Sequence, residues 1–237
     1  MTDILQPLFE ESTVAFHRLG QLYIDPNGDK YRYVQFGVSA AAGSLLQEPA
    51  EDTNDRSMVV QAAVAIGATS IPITLGGTAV TANKFENGTL IIESSTGLGQ
   101  KFRIVRHTVQ TSTTGTCTFE VDRPVKIALT TSSQASVRKN AYDAVIIHPT
   151  TPTGGAVGVA LYTYTAASYG WIQSGGDCPV LFDTGTNTST EVTQIVPSAA
   201  VAGSVKPLGT VGMVAIGYAR EIISVDSTMG MCHLTID

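Results

Sequence analysis

One pattern runs from about residue 62 to residue 148. Short β-prone stretches alternate with Gly, Asn and Thr: Ile66-Gly-Ala-Thr-Ser-Ile-Pro-Ile-Thr-Leu-Gly-Gly77, Asn87-Gly-Thr-Leu-Ile-Ile-Glu93 and Gly97-Leu-Gly-Gln-Lys-Phe-Arg-Ile-Val105. At Lys101-Phe-Arg-Ile-Val105 and Cys117-Thr-Phe-Glu-Val-Asp122 apolar and polar residues alternate strictly. That period of two predicts half-buried strands with basic or polar side chains outward. Thr111–Gly115 and Thr130–Ser133 read as loops, and Arg123-Pro124 ends a strand. About six strands are expected in this region, enough for a small barrel or sandwich.

The flanking segments share a different style. Leu22–Ile24 and Tyr31–Val38 surround Asp25-Pro-Asn27-Gly-Asp29, a turn between two β-prone runs, and predict a hairpin. Residues 47–57 form an acidic, polar loop. After residue 142 strands are expected at Val157–Thr165, at Tyr169–Gly176 up to a Gly-Gly turn, at Val180–Phe182, at Glu191–Val196 and at Val211–Tyr218. In the closing run Cys232, Leu234 and Ile236 share one face.

Residues 1–20 differ again: Leu5, Leu8, Phe9, Val14, Phe16 and Leu19 are apolar, but Pro7 and the short spacing spoil a helix. An extended arm with one short helical turn is expected. Leu5, Leu8, Phe9 and Phe16 are its candidate contacts with another protein. The predicted fold is all-β: two small β barrel or sandwich modules, one inserted in the other, with an N-terminal arm. The arm is 1–20, the β domain 20–60 plus 142–237, and the inserted module 61–141.

Composition sharpens this. The chain of 237 residues has 43% hydrophobic but only 14% charged residues, with 23 glycines. Ordinary soluble domains carry about 25% charged residues, so a Thr/Ser-rich surface or one covered by partners is expected. The net charge of −6 disfavours nucleic acid. Residues 61–141 carry eight Lys/Arg and four acids, a net +4 that leaves −10 elsewhere. Opposite signs on two regions favour docking in one register.

Cys117, Cys178 and Cys232 are far apart in sequence and odd in number, which points to reduced thiols made in a cytoplasm. The opening residues lack a basic start and a continuous apolar core, so no secretory leader is expected. No run approaches the roughly 18 apolar residues of a membrane span. The Asn87 and Asn187 sequons then read as turns.

The chemistry-bearing motifs are weak. Asp25-x-Asn27-x-Asp29 opens like a calcium loop, but Lys30 and Phe36 stand where Gly and Glu are needed. His17, His107, His148 and His233 are isolated, and no metal-binding spacing is present. No serine-hydrolase elbow, dinucleotide loop or phosphate loop occurs. Glu10–Glu11 and Glu51–Asp52 are adjacent and face opposite ways on an extended chain, which suits acid/base work poorly. Trp171, the single tryptophan, reads as a core plug or as a sugar-stacking anchor extended by Tyr162, Tyr164 and Tyr169.

Three segments carry a resemblance: the 66–107 run, Asn140-Ala-Tyr-Asp-Ala-Val-Ile-Ile-His-Pro149, and Val157-Gly-Val-Ala with Ala167-Ser-Tyr-Gly-Trp-Ile-Gln-Ser-Gly-Gly176. Together they resemble virion structural proteins of tailed bacteriophages, of the capsid decoration (cement) type. The similarity spans most of residues 20–237, rests on pattern, and weakens after residue 219. It implies a β-rich protein, synthesised in the host cytoplasm, on the outer surface of the phage head. Its partners would be the major capsid protein and itself, as a homotrimer, without nucleic acid or membrane. It carries over no catalytic residue; with the weak motifs above, no cofactor, no metal and no enzymatic activity are expected. The alternative expectation is a receptor- or glycan-binding module of a phage spike or fibre.

Overall fold

The computed structural model describes residues 5–77, 79–111, 115–183, 192–209, 214–225 and 228–237. In chain order these form β1 (Leu22–Ile24), β2 (Lys30–Gln35), β3 (Leu45–Gln47), β4 (Met58–Val59), β5 (Ser70–Ile73), β6 (Thr89–Ser94), β7 (Lys101–His107) and β8 (Cys117–Val121). They continue with β9 (Gln134–Arg138), β10 (Ile146–Ile147), β11 (Ala156–Ala160), β12 (Tyr169–Phe182), β13 (Gln194–Pro197), β14 (Val205–Pro207), β15 (Gly217–Ala219) and β16 (Thr228–Thr235). Two compact units result: Met1–Ala50 with Ala141–Asp237, and Glu51–Asn140. β4, grouped by its sequence with the flanking domain, pairs with β9 in the second unit. With the boundary at Glu51 that unit carries +2 and the other −8, a smaller contrast than the sequence division gave.

The unit 51–140 is a six-stranded, barrel-like sheet in the order β4-β9-β6-β7-β8-β5. Its first and last strands approach through a bridge between Val60 and Ile73, so the ring is nearly closed. Alternation decides which side each residue takes. On β7, Phe102, Ile104 and His107 are buried, whereas Lys101, Arg103 and Arg106 are exposed. Phe102 and Ile104, with Leu90, Ile92, Phe119, Val125 and Leu129, form one core.

The other unit is organised by β12, fourteen residues long. The turn expected at Gly175-Gly176 is instead an irregularity within one continuous strand, because both halves find partners. The first half pairs with β2 and β11, the second with β16 and β14. Along the second half β12-β14-β13-β15-β16 returns to β12, a closed five-stranded barrel. Its core holds Cys178, Val180, Phe182, Ile195, Val205, Cys232 and Leu234. Along the first half β2-β12-β11-β3-β10 runs back to β2 through a parallel bridge between Phe36 and Val145, around Val34, Leu46, Tyr164 and Ile172. The strand expected to reach Thr165 stops at Ala160. Part of the run expected at Val211–Tyr218 lies outside the described residues; β15 begins at Gly217.

All three cysteines are free and buried. Cys178 and Cys232, distant in sequence, face each other across β12 and β16. Burial pushes all three thiols up, which leaves them as core packing groups.

Two substitutions test the packing of the unit 51–140. Phe119→Ala removes a fully buried ring and should cost about 3–5 kcal/mol. Gly88→Ala places a Cβ against the Arg138 carbonyl oxygen across the β6–β9 pair and should cost about 1–3 kcal/mol. Denaturant unfolding measures both.

Candidate functional site

Over residues 5–20 the N-terminal segment is docked on its own unit rather than extended into solvent, and no helical turn occurs among these residues. It covers a cluster of Tyr31, Tyr33 and Trp171, with Leu8, Leu19, Tyr23, Leu161 and Tyr169 packed around it. The fully buried Tyr33 and Trp171 carry polar groups that cannot go unpaired in an apolar site. Gln6, itself buried, supplies much of the pairing. Its side-chain oxygen accepts from the Tyr33 hydroxyl at 2.6 Å, and its amide donates to the carbonyls of Glu10 and Tyr169. Its own carbonyl accepts from Trp171 Nε1 at 3.0 Å.

Further along, Ser12 and Tyr169 exchange backbone hydrogen bonds, and the Glu11 carboxylate accepts from the backbone and hydroxyl of Thr165. Those bonds hold the Glu11 pKa below the ordinary range. His17 closes the strap. Its ring lies 5.1 Å from that of Tyr33 and 5.0 Å from Trp171, and its Nε2 accepts from the Leu5 N–H.

This anchoring sorts the four predicted contact residues. Leu8 is partly buried against the aromatic cluster, and its carbonyl accepts from Tyr164. Leu5, Phe9 and Phe16 are 69%, 61% and 50% exposed, joined by Val14 at 62%. A segment pinned by at least six hydrogen-bonding residues therefore presents four large apolar side chains outward. Trp171 is fully buried, so it cannot be a sugar-stacking anchor; Tyr164 is buried with it.

The titratable constellations are structural where they are buried. His107 and Cys117 approach to 3.2 Å in the core of the unit 51–140. However, His107 Nε2 accepts from the Phe85 N–H, so Nδ1 carries the proton and donates to the Thr108 carbonyl. The Cys117 thiol donates to that same carbonyl. Burial raises the thiol pKa to about 11 and lowers that of the imidazole, the reverse of an activated thiolate–imidazolium pair.

His148 and Ser198 both line an apolar hollow of about 420 Å³. The Ser198 hydroxyl donates to Asp183 and accepts from the amides of Ala200 and Val201, while His148 Nδ1 donates to the Pro149 carbonyl. A hydrolytic triad needs the imidazole between serine and carboxylate; here it is bypassed. In the Asp25–Asp29 hairpin the Asp25 carboxylate accepts from the amides of Asn27 and Asp29, an Asx turn. Among the described residues no group of three or more His, Cys, Asp or Glu is placed to hold a metal.

One exposed constellation was not visible in the sequence. On the outer wall of the five-stranded barrel Asp177, His233, Tyr218 and Gln194 occupy facing positions on β12, β16, β15 and β13. Asp177 accepts from Arg220 at 2.5 Å and from His233 Nδ1 at 2.8 Å, and these bonds hold its pKa below the ordinary range. Tyr218 stacks on His233 with ring centroids 5.1 Å apart. Only the strand register collects these residues; their spacing along the chain has no motif.

No family model, curated protein or solved structure matches this chain.

Because Trp171 is the single tryptophan, its fluorescence reports on the docked segment. Gln6→Ala leaves the Tyr33 hydroxyl proton without its acceptor, although the oxygen still accepts from the Phe16 N–H, and should cost about 1–3 kcal/mol, with a red-shifted emission. The segment should also loosen in acid. Burial lowers the His17 pKa from 6.5, so the docked state binds a proton more weakly than the released one. Docking is at full strength above pH 6.5 and is lost progressively as the pH falls below it. His17→Phe, which keeps a ring over Trp171 without a titrating group, should flatten the pH dependence of the emission.

Proposed function

We propose that the protein is a capsid decoration (cement) protein of a tailed bacteriophage. It binds the outer surface of the head as an oligomer, a homotrimer, bridges copies of the major capsid protein, and needs no cofactor. The observation that carries this reading is the exposure of Leu5, Phe9, Val14 and Phe16 on one short segment fixed by internal hydrogen bonds. Large exposed apolar side chains concentrated in one short, ordered segment point to an interaction surface. A pre-ordered segment loses less conformational entropy on docking than a free one.

The backbone of Ser12 is already paired with Tyr169, so the exposed side chains of the segment are its contact groups. Burying one Leu or Phe contributes about 1.5–3 kcal/mol. Several copies engaged at once turn such modest contacts into tight attachment. The buried thiols and the bypassed Ser198–His148 arrangement are consistent with assembly rather than chemistry.

The test is a Leu5→Ser, Phe9→Ser, Phe16→Ser triple variant. These residues point outward, so its Trp171 emission and unfolding should match the unsubstituted protein. Its cosedimentation with heads lacking the decoration protein should fall by roughly tenfold or more per lost contact. Light scattering should show whether the trimer is lost as well. Undiminished head binding would remove these side chains from the mechanism.

A further inference from the structure

The outer wall of the five-stranded barrel is built like a ligand platform, and we propose that it binds a neutral saccharide through Tyr218, His233, Asp177, Arg220 and Gln194. Four of these residues lie in one transverse row across adjacent strands, Asp177–His233–Tyr218–Gln194. At about 4.8 Å between strands the row spans roughly 14 Å, room for more than one sugar ring. Arg220 follows β15 directly, and with Val192, Tyr218 and Ala219 it lines an open hollow of about 440 Å³ beside the row.

The chemistry of the row fits a polyol that has an apolar face. Tyr218 and His233 form a stacked aromatic pair, each part-exposed, for the C–H face of a pyranose. The Asp177 carboxylate can only accept, so His233 Nδ1 donates to it and Nε2 is left for a ligand. Arg220 spends one N–H on Asp177 and is half-exposed, which leaves donors for hydroxyl oxygens. The exposed Gln194 adds a donor and an acceptor at the far end of the row. Hydroxyl groups donate and accept at once, and this mixture of groups meets them.

Charge selects the class. Asp177 and Arg220 neutralise each other within the site, and the surrounding unit carries −8. A phosphate backbone, a sulfated glycan or a uronate would be repelled by that field. A role as a structural staple is insufficient to explain the row. The β12–β16 ladder is already continuous from Gly175 to Phe182, and ion pairs this exposed stabilise little. Moreover, a staple requires neither the Tyr218 stack nor Gln194.

The experiment is saturation-transfer-difference NMR of the full chain with neutral hexose and N-acetylhexosamine oligosaccharides, with hexuronate and sulfated oligosaccharides as competing classes. Saturation transfer to the neutral sugars is expected. Tyr218→Ala should abolish it, Tyr218→Phe should retain it, and Tyr162→Ala, at an exposed tyrosine outside the row, should leave it intact. Unchanged thermal unfolding of Tyr218→Ala excludes loss of the fold as the cause. The proposal is overturned if no neutral saccharide binds, if the anionic sugars bind better, or if Tyr218→Ala binds as well as the unsubstituted protein. The Leu5, Phe9 and Phe16 triple variant should bind sugar normally, so this outcome is independent of attachment to a head.

Discussion

Everything in the unit that joins residues 5–50 to 141–237 depends on the hydrogen-bond demand of β12. A strand that enters a protein interior must pair its N–H and C=O groups on both edges. β12 does so by exchanging partners near Gln173 and Gly175, from β2 and β11 to β16 and β14. One strand thereby serves two adjacent rings of strands. Its second half alternates, with Cys178, Val180 and Phe182 inward and Asp177 and Pro179 exposed. The same alternation that fills the barrel places Asp177 on the outer wall beside His233. Core and candidate ligand platform are thus two sides of one strand register.

The first half of β12 sets up the other surface. Trp171 and Tyr33 are directly paired across β12 and β2, and each carries a polar group into an apolar cluster. Gln6 satisfies both, which fixes the segment that carries Leu5, Phe9 and Phe16. The exposure of these apolar side chains on an ordered segment therefore follows from a buried polar requirement. It also has a built-in sensitivity to acid, because His17 packs neutral on the same rings.

Much of the architecture was legible in the chain. The alternation at Lys101–Val105 and Cys117–Asp122 and the turn chemistry at Asp25–Asp29 appear where the pattern put them, since period-two burial is a local property. Of the six strands of the inserted module five fall within 61–141, and β4 at Met58–Val59 lies before it. The Gly175-Gly176 turn was misread because glycine marks a turn and a strand irregularity alike. Trp171 was open between core and surface because an aromatic in a strand fits either; the decision lay with residue 6, more than 160 positions away.

The sequence alone determined that this is an all-β protein of low charge with a β module set inside another, because alternation, turn residues and composition are carried by neighbouring positions. Tertiary structure alone decided that the N-terminal segment is pinned rather than free. It also paired Cys178 with Cys232 across two strands, and gathered Asp177, His233, Tyr218 and Gln194 into one row. Each of those facts depends on register between strands distant in sequence, and register is set by long-range hydrogen bonding and core packing.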